Sequence, residues 1–213
     1  MGEFSFSISH RQDEIDRTLR RNLTKERLFV LLLGPSAIGK STIIHELNVQ
    51  ATDIAFEYVK PMVTRLNRLN ETDKISVSNP EFDAMEARGE FVVVNNLYGV
   101  RYGTPLEGIT SSLSRGNTPV LDYPLETVGA LHRPEYDTLS LYIYPPSLET
   151  WRKRIESSGR ITDGRFEAGV KELGLLATSN FSHSDIDVSI INSEGAAAAA
   201  AHDILDVIRR VVA

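Results

Sequence analysis

The stretch Gly34-Pro35-Ser36-Ala37-Ile38-Gly39-Lys40-Ser41-Thr42 opens with the eight-residue pattern G-x-x-x-x-G-K-[ST]. That order of residue types is a device for holding a polyphosphate. The glycines let the backbone curl so that its N–H groups point inward, and a helix N-terminus behind them adds partial positive charge. Lys40 can then reach the β- and γ-phosphates, and the Ser41 hydroxyl can sit on Mg²⁺. The flanks agree, because the apolar run Leu28–Leu33 precedes the loop and Ile43-Ile44-His45-Glu46-Leu47 follows it. Strand, loop and helix in that order predict a site for a nucleoside triphosphate, ATP or GTP.

Other side chains could serve the same chemistry. Arg65 and Arg68 lie three apart in a polar stretch, and two planar, permanently charged forks suit a phosphate, although surface charge is the alternative. Tyr102 offers a hydroxyl that would either join them or sit at a sheet edge. Asp122 ends the short apolar run from Pro119, where α/β folds present ligand-facing groups; it would orient Mg²⁺ or cap a helix. Arg160 and Arg165 fall in a Gly/Arg/Asp-bearing stretch, where solvated charge is one reading and the family resemblance below supplies the other. Arg152 and Arg154 are read onto the outer face of the preceding helix.

These residues need positioning elements. Apolar patterning predicts strands at Leu28–Leu33, Ile54–Val59, Phe91–Asn95, Pro119–Tyr123, Leu139–Tyr144 and Val188–Asn192. Helices are expected from the phosphate loop to Asn48, from Pro80 to Arg88, over Leu106–Arg115, over Ser147–Glu156, to Leu176 and over Ala197–Val212. Tyr98 to Pro105 reads as turn-rich, and Asp13–Asn22 as a short polar helix that packs on the domain or extends from it. Alternating strands and helices imply α/β architecture with a three-layer parallel sheet. The expected organisation is an N-terminal extension over 1–26 and a domain over 27–213, with the acceptor region about 60–105 and the lid about 157–172.

The order of motifs from the phosphate loop onward resembles the guanylate kinase family. Thr64-Arg65-Leu66-Asn67-Arg68 resembles its T-R-x-x-R, and Glu81-Phe82 through Gly89-Glu90-Phe91 its E-F-x-x-M-x-x-x-G-E-F. Tyr102-Gly103-Thr104-Pro105 is similar to Y-G-T-P, Leu121-Asp122 to the start of L-D-x-D, and Pro145-Pro146-Ser147-Leu148-Glu149 to P-P-S-L-E. The resemblance implies a three-layer parallel-sheet P-loop kinase with a small acceptor-binding subdomain and a lid. Such a kinase moves the γ-phosphoryl group of ATP onto the phosphate of a small acceptor, most simply a nucleoside monophosphate. It implies Arg65, Arg68, Glu71, Tyr102 and Thr104 at the acceptor, Lys40, Arg160 and Arg165 at the transferring group, and Ser41 with Asp122 at Mg²⁺.

The departures concern the base. Val93 and Pro124 stand where the family places the two acids that read guanine. Valine and proline cannot accept from N1–H and N2–H₂, so the resemblance names GMP while the residues remove its anchors. The loop after Glu71 is shortened and lacks G-x-D-Y, a feature similar to ribose 1,5-bisphosphate phosphokinases. A lid arginine pair is represented by Lys171-Glu172. A non-catalytic guanylate-kinase-like binding module is the other alternative, disfavoured by the intact Lys40-Ser41 and Asp122; a GTPase lacks its N-K-x-D motif.

Composition sets the frame. The chain has 213 residues, 41% hydrophobic and 24% charged, sufficient for one α/β domain. A formal charge of −6 speaks against bulk binding to nucleic acid or to anionic membrane. No cysteine is present, which excludes disulfides and thiolate chemistry. The five histidines are scattered without metal spacing, and the six alanines from Ala196 read as a helix start. No run approaches the ~18 apolar residues of a membrane helix, and residues 1–7 lack signal-peptide character. A cytoplasmic monomer or homodimer is expected.

Overall fold

The computed structural model describes residues 8–69, 71–97, 99–123, 125–158, 164–177 and 185–212. Its main sheet has five parallel strands in the order β2-β7-β1-β8-β9. These are β1 (Leu28–Leu33), β2 (Phe56–Tyr58), β7 (Thr118–Tyr123), β8 (Asp137–Tyr144) and β9 (Val188–Ile191). All six residues of β1 are wholly buried, as the centre of a parallel sheet covered on both faces requires; hence its unbroken apolar run. Register does the positioning. Leu32 pairs with Asp122 and Leu33 with Tyr123, so the loop that leaves β1 emerges beside Asp122 at the carboxyl edge of the sheet.

The helices are α1 (Ile8–Leu19), α2 (Lys40–Gln50), α3 (Asn79–Ala87), α4 (Leu106–Ser114), α5 (Leu148–Ser157), α6 (Arg165–Ala177) and α7 (Ala197–Val211). None of the described helices is long and apolar enough to cross a membrane. The alanine run does open α7, whose buried Ile204, Leu205 and Ile208 join the core.

A second sheet carries β3 (Met62–Val63), β4 (Ile75–Ser76), β5 (Phe91–Leu97) and β6 (Val100–Pro105), ordered β4-β3-β6-β5. The expected turn-rich segment is therefore in error from Val100 onward. Its glycine and polar residues mask a strand, because Gly103 lies under the Phe91 ring, where a Cβ would come within 2.6 Å of Cε1. Ser78 and Glu81 cap α3 reciprocally. Arg101 of β6 stacks 4.2 Å over Phe82 of that helix and pairs with Asp83 and Glu86, so one face of this sheet is closed by α3. The opposite face carries Tyr102 and Thr104.

The N-terminal helix begins five residues before the expected Asp13 and packs on β9 and α7. Ile15 and Leu23 are core residues. Glu14, only 5% exposed, accepts from the Ser189 N–H at 2.9 Å and the Ser189 hydroxyl at 2.8 Å, satisfying the outer edge of β9. Arg21 pairs with Asp187 at 2.5 Å and donates to the Thr138 carbonyl at 2.8 Å. Glu14→Ala orphans a buried N–H and a hydroxyl, so it is expected to lower unfolding stability by about 2 kcal/mol, measured by denaturant titration.

Candidate active site

The phosphate loop is built on backbone that only particular residues tolerate. Gly34 has φ +129° and Gly39 φ +100°. A Cβ on Gly34 would also sit 2.6 Å from the Ile143 carbonyl oxygen, so the first glycine is required twice over. Ile38 is wholly buried and pins the loop from below. Side chains from remote segments then tie its carbonyls. Trp151 Nε1 donates to Ser36 O at 2.9 Å, and Asn192 Nδ2 to Ile38 O at 2.7 Å. Arg154 reaches Ile38 O at 3.4 Å and Asn192 O at 3.2 Å. With these carbonyls occupied, the loop's N–H groups are left for an anion.

The expected outer position thus fails for Arg154, which is half-buried against the loop. Arg152 instead lies 4.6 Å over the Phe166 ring. Nothing local in the sequence distinguishes the two; the fold of α5 onto the loop does.

A cavity of about 270 Å³ lies between the phosphate loop, α6 and the second sheet, lined among others by Ser36, Lys40, Asp122, Tyr102, Arg165 and Glu172. Lys40 donates to Gly34 O at 2.6 Å and Pro35 O at 3.0 Å. Burial lowers its pKa, while the charges of Asp122 and Glu172 oppose that shift. The Tyr58 hydroxyl donates to Asp122 Oδ1 at 2.7 Å; burial, and then Asp122, push that phenol well above its usual range. Asp122 is accordingly a held, cavity-facing carboxylate. Ser41 and Thr42 are exposed in the first turn of α2, and Ala37 is half-buried with φ +60°.

Arg65 makes a two-pronged bond to Glu71, at 2.6 and 2.7 Å. The Arg68 N–H donates to the same carboxylate at 3.1 Å, and the Arg68 side chain is exposed. Glu71 thus fastens the arginine loop, where the sequence placed it on the acceptor. Bonding to Arg65 holds the Glu71 pKa down to about 2, against 4.5 ordinarily. A lowered carboxylate pKa contributes stability that is complete above the unfolded value and fades as pH falls toward the folded one. Glu71→Gln is therefore expected to lower stability throughout the neutral range and to flatten its pH dependence between about 4.5 and 2, checked by melting across pH.

Tyr102 lines the cavity and supports the Arg65 charge after Glu71. Thr104 is wholly buried, its hydroxyl has no hydrogen-bond partner among the described residues, and it pairs across the strands with Val93, itself in the core. Among the cavity residues that escaped the sequence reading are Tyr58, Lys74 and Asn95. Asn95 pairs with Tyr102 across β5 and β6, two positions beyond Val93; a polar residue at that strand period was the available signal.

Arg160 and Pro124 lie outside the described residues. Arg165 opens α6 and its guanidinium donates to Ser36 Oγ at 3.2 Å. That helix lies directly on the donor loop, because a Cβ on Gly169 would overlap the Trp151 indole and approach Pro35 to 2.7 Å. Gly169→Val is expected to lift α6 and raise the apparent Kd for ATP about tenfold or more, measured by calorimetry. Glu172 accepts from the Tyr142 hydroxyl at 2.6 Å.

A family model described as guanylate kinase matches residues 25–203. The chain belongs to the guanylate kinase family. Guanylate kinase of Symbiobacterium thermophilum is 35% identical over 137 residues, 62% of this chain and 63% of that protein. The Trichormus variabilis guanylate kinase is 29% identical over 184 residues, 85% of this chain and 89% of that one. A crystal structure of guanylate kinase from Anaplasma phagocytophilum has the same fold, with TM-score 0.62 at 19% identity, covering 88% of this chain and 87% of the other. As a guanylate kinase family member the chain is a phosphotransferase with the P-loop kinase fold. The matched span includes every site residue named above, whereas α1 precedes it.

Proposed function

We propose that this protein transfers the γ-phosphoryl group of ATP to the phosphate of a nucleoside monophosphate. The observation that carries the reading is the meeting of two phosphate-handling groups across one cavity, with Lys40 on the donor side and Tyr102, backed by the Arg65–Glu71 clamp, on the other. Lys40 neutralises donor charge, Arg65 and Tyr102 hold the acceptor phosphate, and Arg165 brings a further guanidinium from α6. No covalent nucleophile is needed. Ser41 and Asp122 supply the hard oxygen donors that fit Mg²⁺, and Asp122 is already turned to the cavity by Tyr58. When bound there, the ion would offset charge on the phosphates.

GMP is the acceptor that the family points to. Val93 lies in the core, so the base is read without a carboxylate at that position, and guanine selectivity is weak. The test is Mg²⁺-dependent ADP release with GMP, dGMP, AMP, CMP, UMP and dTMP. The expected result is turnover on GMP within about tenfold of at least one other nucleotide. ATP binding without turnover on any of them would overturn the acceptor class.

A further inference from the structure

Glu172 is an odd group to find over a phosphate loop. It lies on α6, lines the donor cavity, and adds its negative charge to that of Asp122 around Lys40. An acid so placed repels the very anion that the loop and Lys40 attract. It is also not free to leave. Tyr142, wholly buried in β8, donates to it at 2.6 Å. The helix that carries it is seated by the close approach of Gly169 to Trp151 and Pro35, and by Arg165 on Ser36.

We infer that Glu172 makes the donor site select the metal-bound triphosphate over the free one, an inference that rests on the donor-site reading above. Of the charged groups lining the cavity, Lys40, Lys74 and Arg165 are cationic and Asp122 and Glu172 anionic. Uncomplexed ATP brings its whole triphosphate charge against both carboxylates in a partly desolvated cleft, where such repulsion is weakly screened. A divalent cation turns the same two carboxylates into favourable neighbours, because carboxylate oxygens and the waters they hold are its preferred surroundings. Glu172 thereby acts as a positioning and discriminating residue, and the lid helix senses the metal as well as the phosphates.

The experiment is calorimetric titration of the full chain with ATP in excess EDTA and with ATP in excess Mg²⁺, without acceptor. Wild type, Glu172→Gln and Tyr142→Phe are compared. Glutamine keeps an acceptor for the Tyr142 hydroxyl and removes only the charge. The ratio of the two dissociation constants is expected to favour the metal complex in wild type and to fall about tenfold in Glu172→Gln, mainly through tighter binding of free ATP. Tyr142→Phe, which releases the carboxylate from its anchor, is expected to lower the ratio in the same direction by less. A merely structural Glu172 would shift both constants together, and a ratio unchanged within about twofold in both variants overturns the inference while leaving the donor site intact. Wild type that binds ATP in neither form overturns the donor-site reading and this inference with it.

Discussion

Lys40→Ala is expected to lower kcat by about a thousandfold or more while shifting the melting temperature little. The asymmetry follows from its surroundings. The ammonium is half-buried, its charge is disfavoured by desolvation, and it donates to two carbonyls of its own loop. Removing it therefore costs the ground-state protein little. At the transition state the same ammonium faces phosphoryl oxygens that are gaining charge in a site of low dielectric, which is where a preorganised cation has its largest effect. Steady-state ADP release and a thermal melt on the same preparation check both halves. Turnover within tenfold of wild type would remove the proposed mechanism.

Arg65→Ala is expected to raise the KM for the acceptor nucleotide about a hundredfold and that for ATP less than about threefold. A charge-assisted bond from a guanidinium to phosphate is among the stronger single contacts a protein makes. Glu71 is already spent on presenting that guanidinium. Glu71→Gln should act in the same direction with a smaller effect, and the double variant should be no worse than Arg65→Ala, since both changes remove one unit. Initial-rate measurements varying each substrate in turn decide the matter. Equal effects on both KM values would detach Arg65 from the acceptor.

The parallel sheet and the donor loop were legible because their information is local. The run Leu28–Leu33 declares a strand buried on both faces, and the glycines and lysine behind it declare what it carries. The strand β6 was not legible, because Arg101 and Gly103 look like turn residues until α3 and Phe91 are placed against them. Glu71 was assigned to the acceptor, and its bond to Arg65 was not foreseen. A sequence shows that an acid and an arginine are six apart, but only the folded loop shows that they meet. The supports of the donor loop come from positions 151, 154 and 192, more than a hundred residues away in the chain. No local pattern encodes such contacts. The burial of Glu14 was equally hidden, because an acid on a polar helix gives no sign that it will close a sheet edge.

One of those supports has an optical consequence. The chain holds a single tryptophan, Trp151. Its indole N–H is bonded to the Ser36 carbonyl, and its ring lies 4.8 Å from that of Phe166, so the chromophore bridges the donor loop and α6. Emission excited at the red edge of tyrosine absorption therefore comes from this junction alone. Stopped-flow fluorescence of the unmodified protein is therefore expected to time nucleotide arrival at the donor loop without a label.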